Sequence, residues 1–286
     1  MGRGAGSRGC YVSLRIGTNI ASLTAQRFLT KNQRQVEDSY QALASGSRLT
    51  TPQNDAAGFA VSELLRAQVA GARQSESNVK TAAAMLQTAE GSLNEQNNIL
   101  VRLRELAINS ASDTIGDEER EFLDQEFQQL VQEFDRIAEV SRFGSKKLLS
   151  GSGEEFDFQV GPYKGSENVI SFKLDSDTRA SSVGIDGLSV DDQDAAQDAI
   201  ESIDDAVMQV AGSRAKFGAV QSRFQFAGDN LAVTAQNLEE ARSVIADVDV
   251  AEESAKLAGA QVLQEAGISV LASANMSPHK ALKLIN

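Results

Sequence analysis

Tryptophan is absent from this 286-residue chain, histidine and cysteine occur once each, and only three prolines appear. Each shortage excludes something. One cysteine, Cys10, leaves no partner for an intrachain disulfide, and one His with one Cys excludes a zinc site built from those ligands. Aromatics make up 5% of the residues and the apolar content is mostly Ala, Leu, Val and Ile. Such small aliphatics suit narrow helix–helix seams better than a thick globular interior. Basic residues are outnumbered, 27 against 40 acidic, for a net charge of −13. That disfavours binding to nucleic acid, whose phosphates need Lys/Arg stripes. No apolar run nears the roughly 20 residues that span a bilayer, so no membrane insertion is expected. Met1–Tyr11 is Gly/Arg/Ser-rich, without the apolar segment of a secretory signal.

The prolines stand at Pro52, Pro162 and Pro278. The long stretches between them can hold helices well beyond the usual length, because proline is the strongest helix breaker. Starting at Ile200, a 4,3 spacing runs through Ile203, Val207, Val210, Arg214, Phe217, Gln221, Phe224, Gly228, Leu231, Ala235, Leu238, Arg242 and Ile245. Apolar residues dominate it, the signature of a coiled-coil seam. Phe127, Leu130 and Phe134 repeat the spacing after Gly116 and an acidic first turn, Asp117–Glu119, suited to a helix N-terminus. Upstream, Val79, Leu86, Leu93, Leu100 and Leu103 give a looser version. A helix from about 56 to 110 would extend ~80 Å, and the link Ser110–Gly116 turns the chain back. Three segments are therefore expected in one antiparallel bundle, with Phe127, Leu130 and Phe134 facing Phe217, Phe224, Leu231 and Leu238.

Between these helices, Phe156, Phe158 and Val160 alternate with polar residues, as do Ile170, Phe172 and Leu174, with Gly161–Pro162 between them. The pattern predicts a β-hairpin over about 155–175 with one buried face. The acid-rich run Asp175–Asp205 reads as a solvated face, and Ser189 with Asp192 as a capping box opening the last long helix. At the ends, Ile16, Ile20, Leu23, Leu29, Val36, Tyr40 and Leu43 mark an amphipathic N-terminal helix. Val262, Leu263, Val270 and Leu271 mark a C-terminal one. Isolated helices are marginal in water, so the two must pack on each other or on neighbouring subunits. The expected fold is mainly α: a long antiparallel coiled-coil-like rod with a small hairpin and paired N- and C-terminal helices.

Leu43–Val61, LASGSRLTTPQNDAAGFAV, resembles the N-terminal signature of bacterial flagellins. Gln87–Asn109, the Glu133–Arg136 and Ser141–Leu149 segments, and Ala260–Ile285 resemble that family's rod helices and C-terminus, in colinear order from Ser13 onward. The resemblance implies a structural subunit, not an enzyme, that polymerises into the extracellular flagellar filament for swimming. It implies an inner domain of residues 13–55 plus 246–286, an outer rod of 56–245, and none of the extra outer domains of larger flagellins. The implied partners are further copies of the chain, the flagellar cap and hook-associated proteins, and an export chaperone on the C-terminal helix, the route out being the flagellar type III apparatus. No cofactor is implied. Residues 1–12 lie outside the resemblance and are expected to be a mis-start extension, with Val12 where the initiator would fall. The hook–filament junction protein, which shares the terminal helices, is the alternative.

Two smaller expectations concern contact surfaces. Ser45, Arg48, Asn54 and Asp55 in the polar signature read as a spoke between layers whose side chains bond neighbouring subunits. Arg102 and Leu106, with Glu126 opposite, match the ridge through which an innate immune receptor recognises some flagellins, although Val101 and Leu130 depart from that pattern. Catalytic and metal motifs fail. Asp247, Asp249, Glu252 and Glu253 lack the glycine and the oxygen ligand of an EF-hand loop. His279 has no evident orienting partner for nucleophilic catalysis.

Overall fold

A computed structural model of the chain describes residues 18–53, 55–151 and 153–283, with side chains described as far as residue 276. Ile16, Asn54, His279 and the expected extension 1–12 lie outside these described residues or side chains. Among them are six α-helices: α1 Ile20–Ser45, α2 Ala56–Ser110, α3 Asp117–Val140, a short α4 Ala180–Val183, α5 Gln193–Ala246 and α6 Val250–Lys283. The strands are β1 Arg142–Phe143, β2 Lys146–Lys147, β3 Glu155–Gln159 and β4 Val169–Lys173, paired as two antiparallel two-stranded ribbons. The chain divides into two compact units, Met1–Leu65 with Glu240–Asn286, and Arg66–Glu239. The divisions fall inside α2 and α5, about three turns and two turns from the boundaries expected at residues 56 and 245.

In the second unit, α2 runs antiparallel to α3 and to α5. Gln96, buried in the middle of α2, donates to the Phe134 carbonyl of α3 at 3.2 Å. On the other flank Arg104 meets Asp204 at 2.6 Å, Glu90 meets Arg214 at 3.9 Å, and Arg73 meets Glu239 at 3.5 Å. These pairs set the levels of the bundle, and they correct one expectation. Phe127 and Phe134 stand beside α2 residues 96–103, level with Ile203–Val210 of α5, and not opposite Phe217 and Phe224. Where α3 has ended, the hairpin takes its place. Phe158 meets Phe224 edge-on at 5.4 Å between ring centroids, and Phe172 meets Phe217 at 5.5 Å. Edge-to-face pairs of this kind add about 0.5–1.5 kcal/mol beyond their buried area.

The burial of α5 follows this change of partners. Near its start two stripes are buried or half-buried, Ala196, Ala199, Ile203, Ala206 and Val210 beside Ile200 and Val207. From Phe217 to Glu239 the buried positions thin to Phe217, Phe224, Leu231 and Ala235, with Val220 and Ala227 half-buried beside them. The β3–β4 register places Phe156 opposite Phe172 and Phe158 opposite Ile170, so period-2 alternation puts one face of the hairpin on the helices. Its loop docks closely on α2. A Cβ on Gly71 would lie 3.1 Å from that of Pro162, and Asn78 donates to the Gln159 carbonyl at 3.2 Å.

The 174–190 strap buries Leu174, Ala180, Val183, Ile185 and Val190, while its carboxylates other than Asp177 stay exposed. Carboxylate and amide groups of α3 hold it. Asp135 accepts from Ala180 N–H at 3.1 Å and Asp124 from Val190 N–H at 2.9 Å, and Gln128 donates to the Leu188 carbonyl at 2.8 Å. The capping box expected at Ser189 does not form, because α5 begins later, at Gln193. Ser189 instead closes a local turn, accepting from Asp191 N–H and donating to its carboxylate.

Candidate functional site

The first unit is a pair of helices, α1 and α6, that run antiparallel. Asn19 caps α1 by accepting from Ser22 N–H at 3.1 Å, and its amide reaches the Ala274 carbonyl at 2.7 Å. Ser22 donates to Asn275 at 2.7 Å, and Ser39 to Glu253 at 2.6 Å. The covered positions of α1 include Ser22, Ala25, Leu29, Asn32, Val36, Ser39, Ala42 and Leu43. Those of α6 include Glu253, Leu257, Ala260, Gly267 and Leu271. Ala42 apart, the α1 set follows a 3,4 alternation, and so does the α6 set once the half-buried Gln264 is counted, which is the coiled-coil register. A Cβ added to Gly267 would lie 3.4 Å from Leu29 Cδ1. The seam is therefore thin, built of small and hydroxyl-bearing residues.

The large apolar side chains of this unit lie elsewhere. Ile20, Leu23, Phe28 and Tyr40 on α1, and Val262, Leu263, Ile268, Val270 and Met276 on α6, are all more than half exposed. This corrects the expectation that the two helices meet through their big aliphatics. Of those expected positions only Leu29, Val36, Leu43 and Leu271 lie at the seam. Tyr40 borders it, its hydroxyl accepting from the Gln261 amide of α6 at 2.9 Å, while Ile20, Leu23, Val262, Leu263 and Val270 lie exposed outside it. A helix pair that leaves its larger hydrophobic groups in solvent has apolar area to offer to something outside the chain.

The spoke residues are engaged within the chain. Ser45 Oγ accepts from Ser47 N–H at 3.2 Å. Arg48 donates from its backbone to the Ala246 carbonyl at 2.7 Å and from its guanidinium to Ile245 at 3.0 Å. These bonds satisfy carbonyls that the C-terminus of α5 leaves open. Asp55 accepts from Gly58 N–H at 2.9 Å and caps α2. Asp249 does the same for α6, accepting from Ala251 and Glu252 N–H at 2.9 and 3.2 Å. Capping thus accounts for Asp249, while Glu252 and Glu253 both pair with Lys256, at 2.9 and 3.3 Å.

In the rod, Phe127, Phe134, Phe217 and Phe224 are fully buried and Leu231 nearly so, while Leu130 and Leu238 are half-buried. On the proposed receptor ridge, Arg102 holds Glu126 at 2.8 Å and Glu105 at 3.0 Å. Leu106, by contrast, is 3% exposed and belongs to the core, so the ridge is not continuous at the surface.

Arg120 was not singled out in the sequence. It is almost wholly buried, and its guanidinium donates to the carbonyls of Ser110 and Ser112 at 2.9 and 3.1 Å while pairing with Asp117 at 3.0 Å. One side chain thus closes the end of α2, the turn and the start of α3. Its position four residues past a Gly–Asp helix start was the only available signal, and charged residues at such positions are commonly solvated. Among the described residues no group of three metal-ligating side chains occurs, and no helix is long and apolar enough to cross a membrane.

The N-terminal helical region of bacterial flagellin matches residues 16–154, and the C-terminal helical region matches residues 200–285. The chain is 35% identical to the flagellin of Halalkalibacterium halodurans, across 94% of this chain and 99% of that protein. It is 34% identical to the flagellar filament core protein flaB2 of Brachyspira hyodysenteriae, with the same shares covered. Among solved structures, Bacillus cereus flagellin superposes with a TM-score of 0.49 at 26% identity, over 54% of this chain and 88% of that one. This chain belongs to the bacterial flagellin family.

Proposed function

We propose that this chain is the structural subunit of a bacterial flagellar filament, built by self-assembly outside the cell and serving swimming motility. The observation that carries the reading is the α1–α6 pair. It spends alanine, serine and glycine on its own seam and presents isoleucine, leucine, phenylalanine and valine outward. Burying those groups against further copies would recover about 25 cal/mol per Å² of apolar surface. Curated relatives that are filament flagellins and filament core proteins support the same reading, and none of these observations favours the hook–filament junction alternative. The role is one of assembly and not catalysis.

The division into an inner part, residues 13–55 with 246–286, and an outer rod, 56–245, belongs to this proposal. So do contacts with cap and hook-associated proteins, an export chaperone on α6, and exit through the flagellar type III apparatus. Recognition by an innate immune receptor belongs to it only through Arg102 and Glu126, which pair with each other at the surface, and not through the buried Leu106. Limited trypsin digestion tests the central idea. Soluble monomer should be trimmed towards a core near residues 66–239, while assembled polymer keeps both termini. Removing Ala260–Asn286 should abolish polymer formation and leave the rod folded. A truncated chain that still forms filaments overturns the reading.

A further inference from the structure

The strap between the hairpin and α5 contains the one Asp–Gly pair of the chain, Asp186–Gly187, and the sequence has no Asn–Gly pair. A side-chain carboxyl at such a position lies one ring closure from the nitrogen of the residue that follows. A β-carbon on that next residue crowds the closure, and glycine has none. Every other aspartate here is followed by a residue that carries one.

Asp186 and Gly187 are both exposed, in the turn that follows α4. Gly184 ends that helix, and the Ala180 carbonyl accepts from Ile185 and Asp186 N–H at 3.0 and 3.3 Å. The backbone bonding stops there. Among the described residues Gly187 N–H donates to no protein group. A Cβ on Gly187 would meet nothing within 4 Å, so a ring has room to form. On either side the strap is fixed. Ile185 and Val190 are sealed in the core, and Gln128 of α3 holds the Leu188 carbonyl at 2.8 Å.

We propose that Asp186–Gly187 is a site of spontaneous isomerisation in the folded protein, where the main chain reroutes through the aspartate side chain. The Gly187 nitrogen attacks Asp186 Cγ. The proton of that nitrogen and the hydroxyl of the carboxyl leave together as water, closing a succinimide ring. Water then reopens the ring at either carbonyl. Attack at Cγ restores aspartate, and attack at the main-chain carbonyl leaves Gly187 bonded to Cγ as isoaspartate. Water is lost and regained, so no other reactant is needed. The product carries an additional methylene in the main chain. Between Ile185 and Leu188 that length is taken up by releasing an anchor, and the Gln128–Leu188 bond is the nearest. The site is independent of the filament reading.

Heavy-oxygen water tests it. The full chain is held folded at neutral pH in labelled water, digested in ordinary water, and its peptides sequenced by electron-transfer fragmentation, which distinguishes isoaspartate from aspartate. Label and isoaspartate should accumulate together at Asp186. Asp113 is also exposed in a turn, but Thr114 follows it with its N–H bonded to Ser112 Oγ at 3.4 Å, so Asp113 should stay unlabelled. Asp186→Glu should abolish the signal, because closure would then need a larger ring. Label no faster at Asp186 than at Asp113 overturns the proposal. Labelling seen only after unfolding in urea overturns it too, since the folded turn would then protect the pair. A second arm reads the strap. The isomerised fraction, separated by ion exchange, should exchange its Val190 amide about fivefold faster than the parent, as the loss of one modest hydrogen bond implies. Unchanged exchange over residues 185–190 overturns the release of the anchor.

Discussion

The two units bury opposite kinds of side chain. In Arg66–Glu239, phenylalanines and leucines face inward along α2, α3 and α5, and Phe127, Phe134, Phe217 and Phe224 are sealed from water. In Met1–Leu65 with Glu240–Asn286, the seam between α1 and α6 is alanine, serine and glycine with half-buried Leu29, Val36, Leu43, Leu257 and Leu271, while most of the bulky groups face out. The rod carries its own hydrophobic stabilisation. The terminal pair defers most of its own until a further surface covers it. A chain that must remain a soluble monomer first and a polymer afterwards benefits from that split, because the first unit can loosen without taking the second with it.

The largest test of this contrast removes a sealed ring. Phe224→Ala should cost about 3–5 kcal/mol by leaving a cavity between α2, α5 and the hairpin, out of the roughly 5–15 kcal/mol such a domain holds. Ile268→Ser on α6, which opens no cavity in the monomer, should leave monomer melting within about 0.5 kcal/mol and yet suppress polymerisation. Urea unfolding of the two monomers beside a sedimentation assay for polymer decides the matter. If both variants melt alike, the division between a self-sufficient rod and a deferred terminal pair is wrong.

A smaller effect is expected where the rod relies on polar closure. Arg120→Met keeps the aliphatic stem but leaves the carbonyls of Ser110 and Ser112 without their donor, a loss of about 2 kcal/mol. Faster amide exchange confined to residues 108–120 would show that the turn, and not the whole bundle, depends on it. At α5, a Cβ on Gly212 meets nothing within 4 Å. Gly212→Ala should therefore raise stability by about 0.5–1 kcal/mol through helix propensity, measurable as a higher melting temperature. A loss would mean that face of α5 is covered.

The smallest expected effect is one of pH. Hydrogen bonds from the Arg179 guanidinium hold the Asp177 carboxyl down at about 2, against an ordinary 3.8, with Ser182 and the Arg179 N–H assisting. A depressed folded value favours the charged form. Its contribution is therefore present above about pH 4 and is lost as pH falls towards 2. Asp177→Asn should therefore lower the rod's stability at neutral pH and flatten its acid limb, so that variant and parent converge as pH falls towards 2. An unchanged acid limb would remove Asp177 from the strap's anchorage.

Much of this architecture could be read from residues alone, because its signals are local and periodic. The 4,3 stripe along α5, the link Ser110–Gly116 and the alternation in Phe156–Val160 each depend on neighbours within a few positions, and each reappears in the fold. The error in the terminal pair has a clear cause. Reading large aliphatics as the terminal seam assumed that the biggest hydrophobic groups always pack within their own chain. The true register, through Ser22, Ala25, Ser39 and Ala260, was present as a heptad of small residues but was outweighed by the bulkier faces beside it. Leu106 was placed on a surface ridge although its spacing from Leu103 and Ala107 put it on the buried side.

What the amino-acid order determined by itself was helix extent, turn position, hairpin pattern and the acidic character of the surface, since these follow from backbone preference and short-range periodicity. Tertiary structure alone decided the levels at which the helices meet. The same stripe on α5 fits α3 or the hairpin equally well by pattern, and only the length of α3 and the docking of the Pro162 loop on Gly71 assign Phe217 and Phe224 to the hairpin. It also decided which apolar faces remain open. Hydrophobicity specifies that a side chain will seek cover and is indifferent to whose surface provides it.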